Sequence, residues 1–219
     1  MFYLFKDRTD AGRQLAEKLE SFRPSFPLVL GLPRGGVVVA FEAAQKLHAP
    51  LDVFIVRKLG VPGHAELAMG ALASGGLHVF NREIIRRLKI PKEAILEVMD
   101  REQKEIKRRE TLYRRGASIP ALIHGRDVLL IDDGIATGAT MQSAVLALKQ
   151  ARPLSLTVAV PVASSDTCRE LASKADEIIC LYTPVHFSSV GEWYENFEQT
   201  TDEEVKALLS QSQRIRVPS

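Results

Sequence analysis

The sequence predicts an α/β fold in which a parallel sheet of about five strands is flanked by helices. Two observations support this. Apolar runs alternate with segments of helical apolar spacing through most of the 219 residues. The runs are continuously apolar, as in strands covered on both faces. Such a sheet is Rossmann-like, and its ligands bind beyond the carboxyl ends of the strands, so we expect the chemistry after Leu30, Val56 and Ile131.

The first half of the chain is expected to alternate helices with short extended segments. In the first helix, Leu15, Leu19 and Phe22 recur at helical spacing, and two prolines follow. The stretch 59–70 holds three glycines and a proline, which favours a long loop. The predicted elements are helix 10–22, strand 28–30, helix 37–47, strand 51–56, loop 59–70 and a hairpin pairing 71–73 with 77–80.

The second half continues the alternation. Pro91 suits the first turn of a long helix, and Asp202 suits a cap of the last one. Val145, Leu146 and Leu148 are the expected inner side of the helix 139–150. The predicted elements are helix 91–115, strand 127–131, helix 139–150, strand 156–160, helix 166–175, strand 177–181 and helix 202–209.

Composition limits the class of protein. An apolar content of 46% is enough for one core, and a net charge of +2 provides no global field for nucleic acid. Cys168 and Cys180 lack metal-type spacing and are predicted to be reduced and buried, which favours a cytoplasmic protein. The apolar start is too short for a signal segment and no run reaches transmembrane length, so we expect no membrane partner.

One string at the end of an apolar strand carries the strongest functional signal. Asp132 and Asp133 follow the strand 127–131, and two adjacent carboxylates can accept hydrogen bonds from vicinal hydroxyls or hold a divalent cation. Small and hydroxylated residues then open a helix, where backbone N–H groups and the helix dipole favour an anion. These residues are Ala136, Thr137, Gly138, Ala139 and Thr140. The two parts predict a grip on both ends of a sugar phosphate.

The string 128–140 resembles the PRPP-binding signature of type I phosphoribosyltransferases. The resemblance implies that Asp132 and Asp133 hold the ribose hydroxyls and that residues 136–140 bind the 5′-phosphate. Hypoxanthine- and guanine-type members carry an aspartate where this chain has Ala136, so the string is closer to the adenine type. No base-side catalytic group can be transferred from this loop.

A second loop follows the first predicted strand. Its glycines free backbone N–H groups and Arg34 adds a cation. Alone these residues would favour an ordinary tight turn, but the position of the loop, one loop from the acidic pair in the same sheet, favours an anion site. It resembles the pyrophosphate loop of the same family, whose members often hold a strained peptide there. The residues concerned are Pro33, Arg34, Gly35 and Gly36.

Cations also end the second predicted strand. Arg57 and Lys58 could neutralise a departing pyrophosphate, although a solvated strand end is an equal alternative. The loop 59–70 resembles the mobile lid of the family and carries His64 and Glu66, neither of which is favoured as a catalytic group. The resemblance implies one domain, 1–219, with a core of about 28–181 and a hood from 1–25 and 182–219. The hood contains Phe187, Trp193, Tyr194 and Phe197, among which no base-stacking residue can be chosen.

The function implied is transfer of ribose 5-phosphate from PRPP to a nitrogenous base of unidentified type. The expected catalytic residues are Asp132, Asp133, Arg57 and Lys58, with Lys58 also at the pyrophosphate. Mg²⁺ is expected mainly on pyrophosphate and ribose oxygens, and the two aspartates reach it at most through water. Family members are often dimers, so a homodimer is compatible with the sequence.

Two other classes of function stay open. A non-catalytic PRPP- or nucleotide-binding regulator would use the same loops, and the arginine- and lysine-rich helix 91–115 raises RNA as its partner. Glutamates interleave with those cations, which favours ion pairing on a solvated helix face over nucleic-acid binding. A phosphoacceptor domain could use Asp132 or Asp133, but it would not need the phosphate loop that follows.

Overall fold

The computed structural model describes residues 3–114 and 119–212, which form two sheets and their covering helices. The larger sheet is parallel throughout, in the order β2-β1-β6-β7-β8, and the smaller one is antiparallel, in the order β3-β4-β5. This confirms the predicted α/β class with a five-stranded parallel sheet. The strands are β1 Leu28–Gly31, β2 Leu51–Val53, β3 Val56–Val61, β4 His64–Ala73, β5 His78–Phe80, β6 Asp127–Ile131, β7 Ser155–Val162 and β8 Glu177–Tyr182.

Helices connect most of these strands. Two of them begin at side-chain caps, since Asp7 accepts from the Asp10 amide and Ser164 accepts from the Thr167 amide. The helix after β6 has the predicted bounds, whereas the predicted end of the long helix at Arg115 lies outside the described residues. The helices are α1 Arg8–Lys18, α2 Gly35–Leu47, α3 Arg82–Arg87, α4 Lys92–Tyr113, α5 Ile119–Ile123, α6 Ala139–Gln150, α7 Ser165–Ala172 and α8 Asp202–Ser212.

The parallel sheet is covered on both faces, which explains its continuously apolar strands. Successive strand residues point to opposite faces. Leu129 and Ile131 of β6 therefore pack with α1 and α2, while Leu130 packs with α5 and α6. The smaller sheet has its own apolar layer, made with α4 and α8.

The prediction of a loop at 59–70 is wrong, because β3 and β4 form an antiparallel pair through most of that stretch. The glycines there permit close backbone contact: a β-carbon on Gly60 would lie 2.8 Å from Ala65 O. The predicted strand 51–56 is also two strands, since the chain leaves the parallel sheet after Val53. The predicted hairpin of β4 with β5 is confirmed, with Gly70 opposite Phe80.

Three smaller expectations are corrected. Leu146 is 43% exposed, because it lies on the outer side of α6. Asp202 does not cap α8, since Thr201 Oγ1 accepts the Glu204 amide at 3.1 Å. Cys168 and Cys180 are free thiols as expected but half-buried, not fully buried.

The strand order fixes where loops meet. From β1 the chain crosses to β2 on one side, whereas β6, β7 and β8 extend to the other. The carboxyl ends of β1 and β6 are adjacent, with Gly31 opposite Ile131. An open α/β sheet has its ligand crevice at such a switch point. The outer ends of the predicted hood, 1–2 and 213–219, lie outside the described residues. Within residues 3–114 and 119–212, no helix is both long and apolar enough to cross a membrane.

Candidate active site

The two loops singled out in the sequence meet at this switch point. Asp132 and Asp133 follow β6, and Gly35 and Gly36 open α2 after β1. A β-carbon on Gly36 would lie 2.7 Å from Asp132 Oδ1, and one on Gly35 would overlap Asp133 Oδ2. The acidic pair therefore lies against the glycine loop, and only residues without side chains permit this approach.

Burial raises the pKa of both carboxyls. Asp132 Oδ1 accepts the Asp133 amide at 2.9 Å, but burial and then the neighbouring Asp133 charge raise its pKa well above the usual range. Burial also raises the pKa of Asp133, and this outweighs the opposing hydrogen bond and charge of Arg8. Burial thus disfavours the charged forms of both carboxyls, and hydroxyl donors or a cation would favour them.

Arg8 is a part of the site that sequence reasoning missed. Its Nε lies 2.6 Å from Asp133 Oδ2, and its Nη1 donates to Glu198 O at 2.6 Å. Its guanidinium carbon lies 3.9 Å from the centre of the Phe197 ring. A β-carbon on Gly35 would also overlap Arg8 Nε, so the guanidinium lies between the acidic pair and the glycine loop.

The predicted hood aromatics divide into two groups. Tyr194 donates its hydroxyl to Asp133 O at 2.5 Å, and its ring is 5.1 Å from that of Phe5. The Phe197 ring packs against the Arg8 guanidinium, so it too lies behind the acidic pair. Phe187 and Trp193 stack on each other instead, with ring centres 6.3 Å apart.

The loop 136–140 leads into α6 without a side-chain cap. Gly138 is the N-cap residue, with φ of 72°, a conformation that favours glycine. Thr137 and Thr140 are exposed. Thr167 of α7 supports the loop from behind, donating its hydroxyl to Ala136 O at 2.8 Å. The first amides of α6 are thus presented to an incoming anion.

Each of the predicted cations is paired with an acidic side chain. Arg34 Nη1 is 3.8 Å from Asp202 Oδ1, and the peptide bond between Pro33 and Arg34 is cis. Arg57 Nη2 lies 2.9 Å from Glu102 Oε2 of α4, and Lys58 Nζ lies 3.5 Å from Glu66 Oε2.

Neither Arg57 nor Lys58 contacts the acidic pair among the described interactions. His64 and Glu66 are exposed near the β3–β4 turn.

Similarity to known proteins identifies the family of the chain. Residues 63–196 match the phosphoribosyl transferase domain model. The chain belongs to the phosphoribosyl transferase domain family. Two Mycobacterium tuberculosis relatives, from strains H37Rv and CDC 1551 / Oshkosh, are each 45% identical over 212 residues, which is 96% of this chain, and are provisionally named phosphoribosyl transferases. The chain spans about half their length, 47%.

The same architecture occurs in a solved relative of this phosphoribosyl transferase domain. The crystal structure of TT1426 from Thermus thermophilus superposes on this chain with a TM-score of 0.81, and the two sequences are 40% identical. The alignment covers 96% of this chain and 99% of the other. The fold of the present chain, including its second small sheet, is therefore that of an independently solved protein of similar extent.

The phosphoribosyl transferase domain offers few metal ligands of its own. The described part of the chain contains no group of three or more His, Cys, Asp or Glu side chains that could hold a metal ion. Asp132 and Asp133 supply two carboxylates, one of which is already paired with Arg8. A hard cation there would need most of its oxygen ligands from a bound substrate and from water.

Proposed function

We propose that this protein is a PRPP-dependent phosphoribosyltransferase, which transfers ribose 5-phosphate to a nitrogenous base and releases pyrophosphate. One observation carries the proposal. The carboxylates of Asp132 and Asp133 lie against Gly35 and Gly36, and the same loop runs on to the uncapped N-terminus of α6. A sugar site, a phosphate site and a second anion site are thereby contiguous.

The ribose is the part of PRPP assigned to the acidic pair. Carboxylates accept hydrogen bonds, and the two ribose hydroxyls are vicinal donors. The raised pKa values of Asp132 and Asp133 mean that their charged forms are only partly compensated, even with Arg8 beside Asp133. Two hydroxyl donors would add to this compensation, so part of the binding energy comes from relieving an existing penalty.

The 5′-phosphate is assigned to Ala136, Thr137, Gly138, Ala139 and Thr140. The amides of the first turn of α6 have no side-chain acceptor, and the helix dipole favours an anion there. Thr137 and Thr140 are exposed and can donate hydroxyl hydrogen bonds. With the ribose held at the other end of the loop, the sugar is fixed from two sides, which is the main entropic contribution to such a reaction.

The pyrophosphate is assigned to Pro33, Arg34, Gly35 and Gly36, with Arg8 as a further cation. Arg8 lies beside Gly35, so a pyrophosphate at this loop would share the guanidinium with Asp133. Negative charge grows on the leaving group as the bond breaks, and a cation fixed in advance stabilises it.

Arg57 and Lys58 would complete the pyrophosphate site from the second sheet. Both are held by glutamates, Arg57 by Glu102 and Lys58 by Glu66. Glu102 is buried, with 10% of its side chain exposed, whereas Glu66 is fully exposed. We therefore assign Glu102 as a positioning residue for Arg57 and regard the Lys58 pair as readily exchanged for a substrate anion.

The residues fit a substrate-borne Mg²⁺. Asp132 and Asp133 would hold its hydration shell, while pyrophosphate and ribose oxygens fill the other positions. When bound, the ion neutralises charge on the leaving group.

The reaction breaks the bond between ribose C1 and a pyrophosphate oxygen and forms a bond between C1 and a base nitrogen. The electron pair of the broken bond leaves with pyrophosphate, and the base nitrogen loses its proton to the released pyrophosphate or to water. Ala136 has no titratable group to receive that proton. The described site therefore acts by positioning and charge stabilisation, without a protein nucleophile.

A regulator that binds PRPP or a nucleotide without turnover is the second candidate, favoured by the absence of a titratable side chain at Ala136. The RNA-binding form of this candidate has less support. On α4, Lys104 pairs with Asp100, while Arg108 and Arg109 pair with Glu105. Paired cations on an exposed helix leave less charge for a phosphate backbone.

A panel of free bases with PRPP and Mg²⁺ tests the proposal, with pyrophosphate release as the readout. Release that depends on one base identifies both the activity and the acceptor. Calorimetric PRPP binding without release with any purine, pyrimidine, nicotinate or anthranilate would favour the regulator. Incubation with acetyl phosphate followed by mass spectrometry tests the phosphoacceptor class, which a phosphorylated aspartate would support.

A further inference from the structure

Two thiols on neighbouring elements of the fold lie in contact. Cys168 is on α7 and Cys180 is on β8, an edge strand of the parallel sheet. Their sulfur atoms are 2.7 Å apart, and each residue is partly exposed. Both side chains pack against the apolar cluster that contains Leu130 and Leu171, so their contact is fixed by the packing of α7 on β8. Twelve positions separate them along the chain, and this spacing alone offers no reason to pair them.

We infer that Cys168 and Cys180 form a reversible intramolecular disulfide when the protein meets a low-molecular-weight disulfide oxidant. A disulfide has a sulfur–sulfur distance of about 2.05 Å, so the two atoms need to approach by only about 0.7 Å. A shift of that size lies within ordinary side-chain motion.

The order of the reaction follows from the hydrogen bond between the thiols. That bond lowers the pKa of Cys168, while it and burial raise the pKa of Cys180. The Cys168 thiolate attacks one sulfur of the oxidant and expels the other half as a thiolate. The Cys180 thiolate then attacks Cys168 Sγ and expels the second half. Two electrons pass to the oxidant, and the two protein protons end on the two released thiols.

The bond would act on the helix that supports the loop 136–140. Thr167 precedes Cys168 and donates its hydroxyl to Ala136 O. Its methyl group would lie 2.6 Å from a β-carbon at Gly138. Tying Cys168 to β8 therefore ties down the residue behind this loop. An effect of this bond on phosphate binding rests on the proposed function. The formation of the disulfide does not.

Treatment of the full chain with glutathione disulfide tests the inference, using intact mass under non-reducing conditions. We expect a monomer lighter by two hydrogen atoms, with the peptides containing Cys168 and Cys180 linked, and full reversal by a dithiol. Cys168→Ser and Cys180→Ser are matched controls that keep one thiol each. Each should keep its mass or gain one glutathionyl group in place of its thiol hydrogen, and neither should show the two-hydrogen loss of an intramolecular disulfide. The oxidised wild-type chain should also melt at a higher temperature than the reduced one, because the bond restricts the unfolded chain.

An unchanged mass, a stable glutathione adduct on the wild-type chain or a disulfide-linked dimer would each overturn the inference. The linked-peptide measurement uses the wild-type chain alone, so it decides the question even if a serine variant does not fold. None of these readouts depends on PRPP, so failure here is separate from failure of the proposed function.

Discussion

Arg8 Nε lies 2.6 Å from Asp133 Oδ2 and joins the first turn of α1 to the loop after β6. The two side chains are only 12% and 16% exposed, so water screens the pair weakly. Arg8 also binds Glu198 O and covers the Phe197 ring. One cation thus connects the N-terminal helix, the acidic pair and the C-terminal segment.

Replacing Arg8 by alanine should weaken both stability and anion binding. Asp133 would keep a poorly hydrated charge without its cation, which should lower the free energy of unfolding by roughly 1–3 kcal/mol. Affinity for inorganic pyrophosphate should fall by roughly tenfold or more, as expected when a charge-assisted contact is lost. Urea denaturation and calorimetry would measure the two effects.

Arg13→Ala is the matched control, because Arg13 lies on the same helix and pairs with Glu42 while 70% exposed. Its effect on stability should stay within about 0.5 kcal/mol. Similar effects of the two substitutions on pyrophosphate affinity would show that Arg8 does not contribute to pyrophosphate binding.

Asp132→Asn should stabilise the protein at neutral pH. The raised pKa means that the folded state holds the Asp132 proton to higher pH than the unfolded chain does. Stability is therefore lost as the pH rises from the ordinary value of 3.8 through the raised folded-state pKa. The asparagine variant avoids this loss and should be more stable at pH 7 by roughly 0.5–2 kcal/mol.

The advantage of Asp132→Asn should shrink towards pH 4, which urea denaturation across the pH range would measure. Asp166→Asn is the control, because Asp166 is 82% exposed. A wild-type chain as stable as the Asp132 variant at every pH would show that the Asp132 charge carries no penalty.

Gly138→Ala should damage the loop 136–140 more than its backbone conformation alone explains. Alanine at φ of 72° is strained, and its β-carbon would also lie 2.6 Å from the Thr167 methyl carbon. Gly125→Ala has nearly the same backbone cost at φ of 69°, but nothing lies within 4 Å. Each should lose about 1 kcal/mol of stability from the backbone. Only the Gly138 variant should lose affinity for ribose 5-phosphate, which calorimetry would detect.

Glu102→Gln should release Arg57. Glu102 accepts from Arg57 and Arg101 on a side chain that is 10% exposed. The neutral amide would hold the guanidinium less firmly, and we expect pyrophosphate affinity to fall about threefold to tenfold. Glu105→Gln, one turn along α4, neutralises the carboxylate that pairs with Arg108 and Arg109 but touches no residue of the site. A fall of equal size in this control would refute the positioning role of Glu102.

The sequence was sufficient to predict features that are formed by consecutive residues. The strand, the acidic pair and the start of α6 lie within residues 127–150, and the structure confirms their secondary structure. The continuously apolar residues of β6 also predicted that it lies inside the sheet, because a strand covered on both faces must be apolar throughout. The binding roles of Asp132, Asp133 and the loop stay predictions.

Features made by distant parts of the chain were not accessible from the sequence. Arg8 meets Asp133 across 125 positions, and Arg57 meets Glu102 across 45. From the sequence, the glycines in 59–70 predict a loop. Their role in close contact between strands depends on neighbouring strands that the local sequence does not reveal. Gly70, for example, lies against Val79 O of β5.

The most direct test of the central claim is calorimetric titration of PRPP with Mg²⁺ into the wild-type chain and into the double variant Asp132→Asn with Asp133→Asn. Asp132→Asn is expected to stabilise the fold, and circular dichroism would verify that the double variant is folded. We predict saturable binding by the wild-type chain and at least a hundredfold weaker binding by the variant. Equal affinities would contradict the assignment of the acidic pair to the ribose.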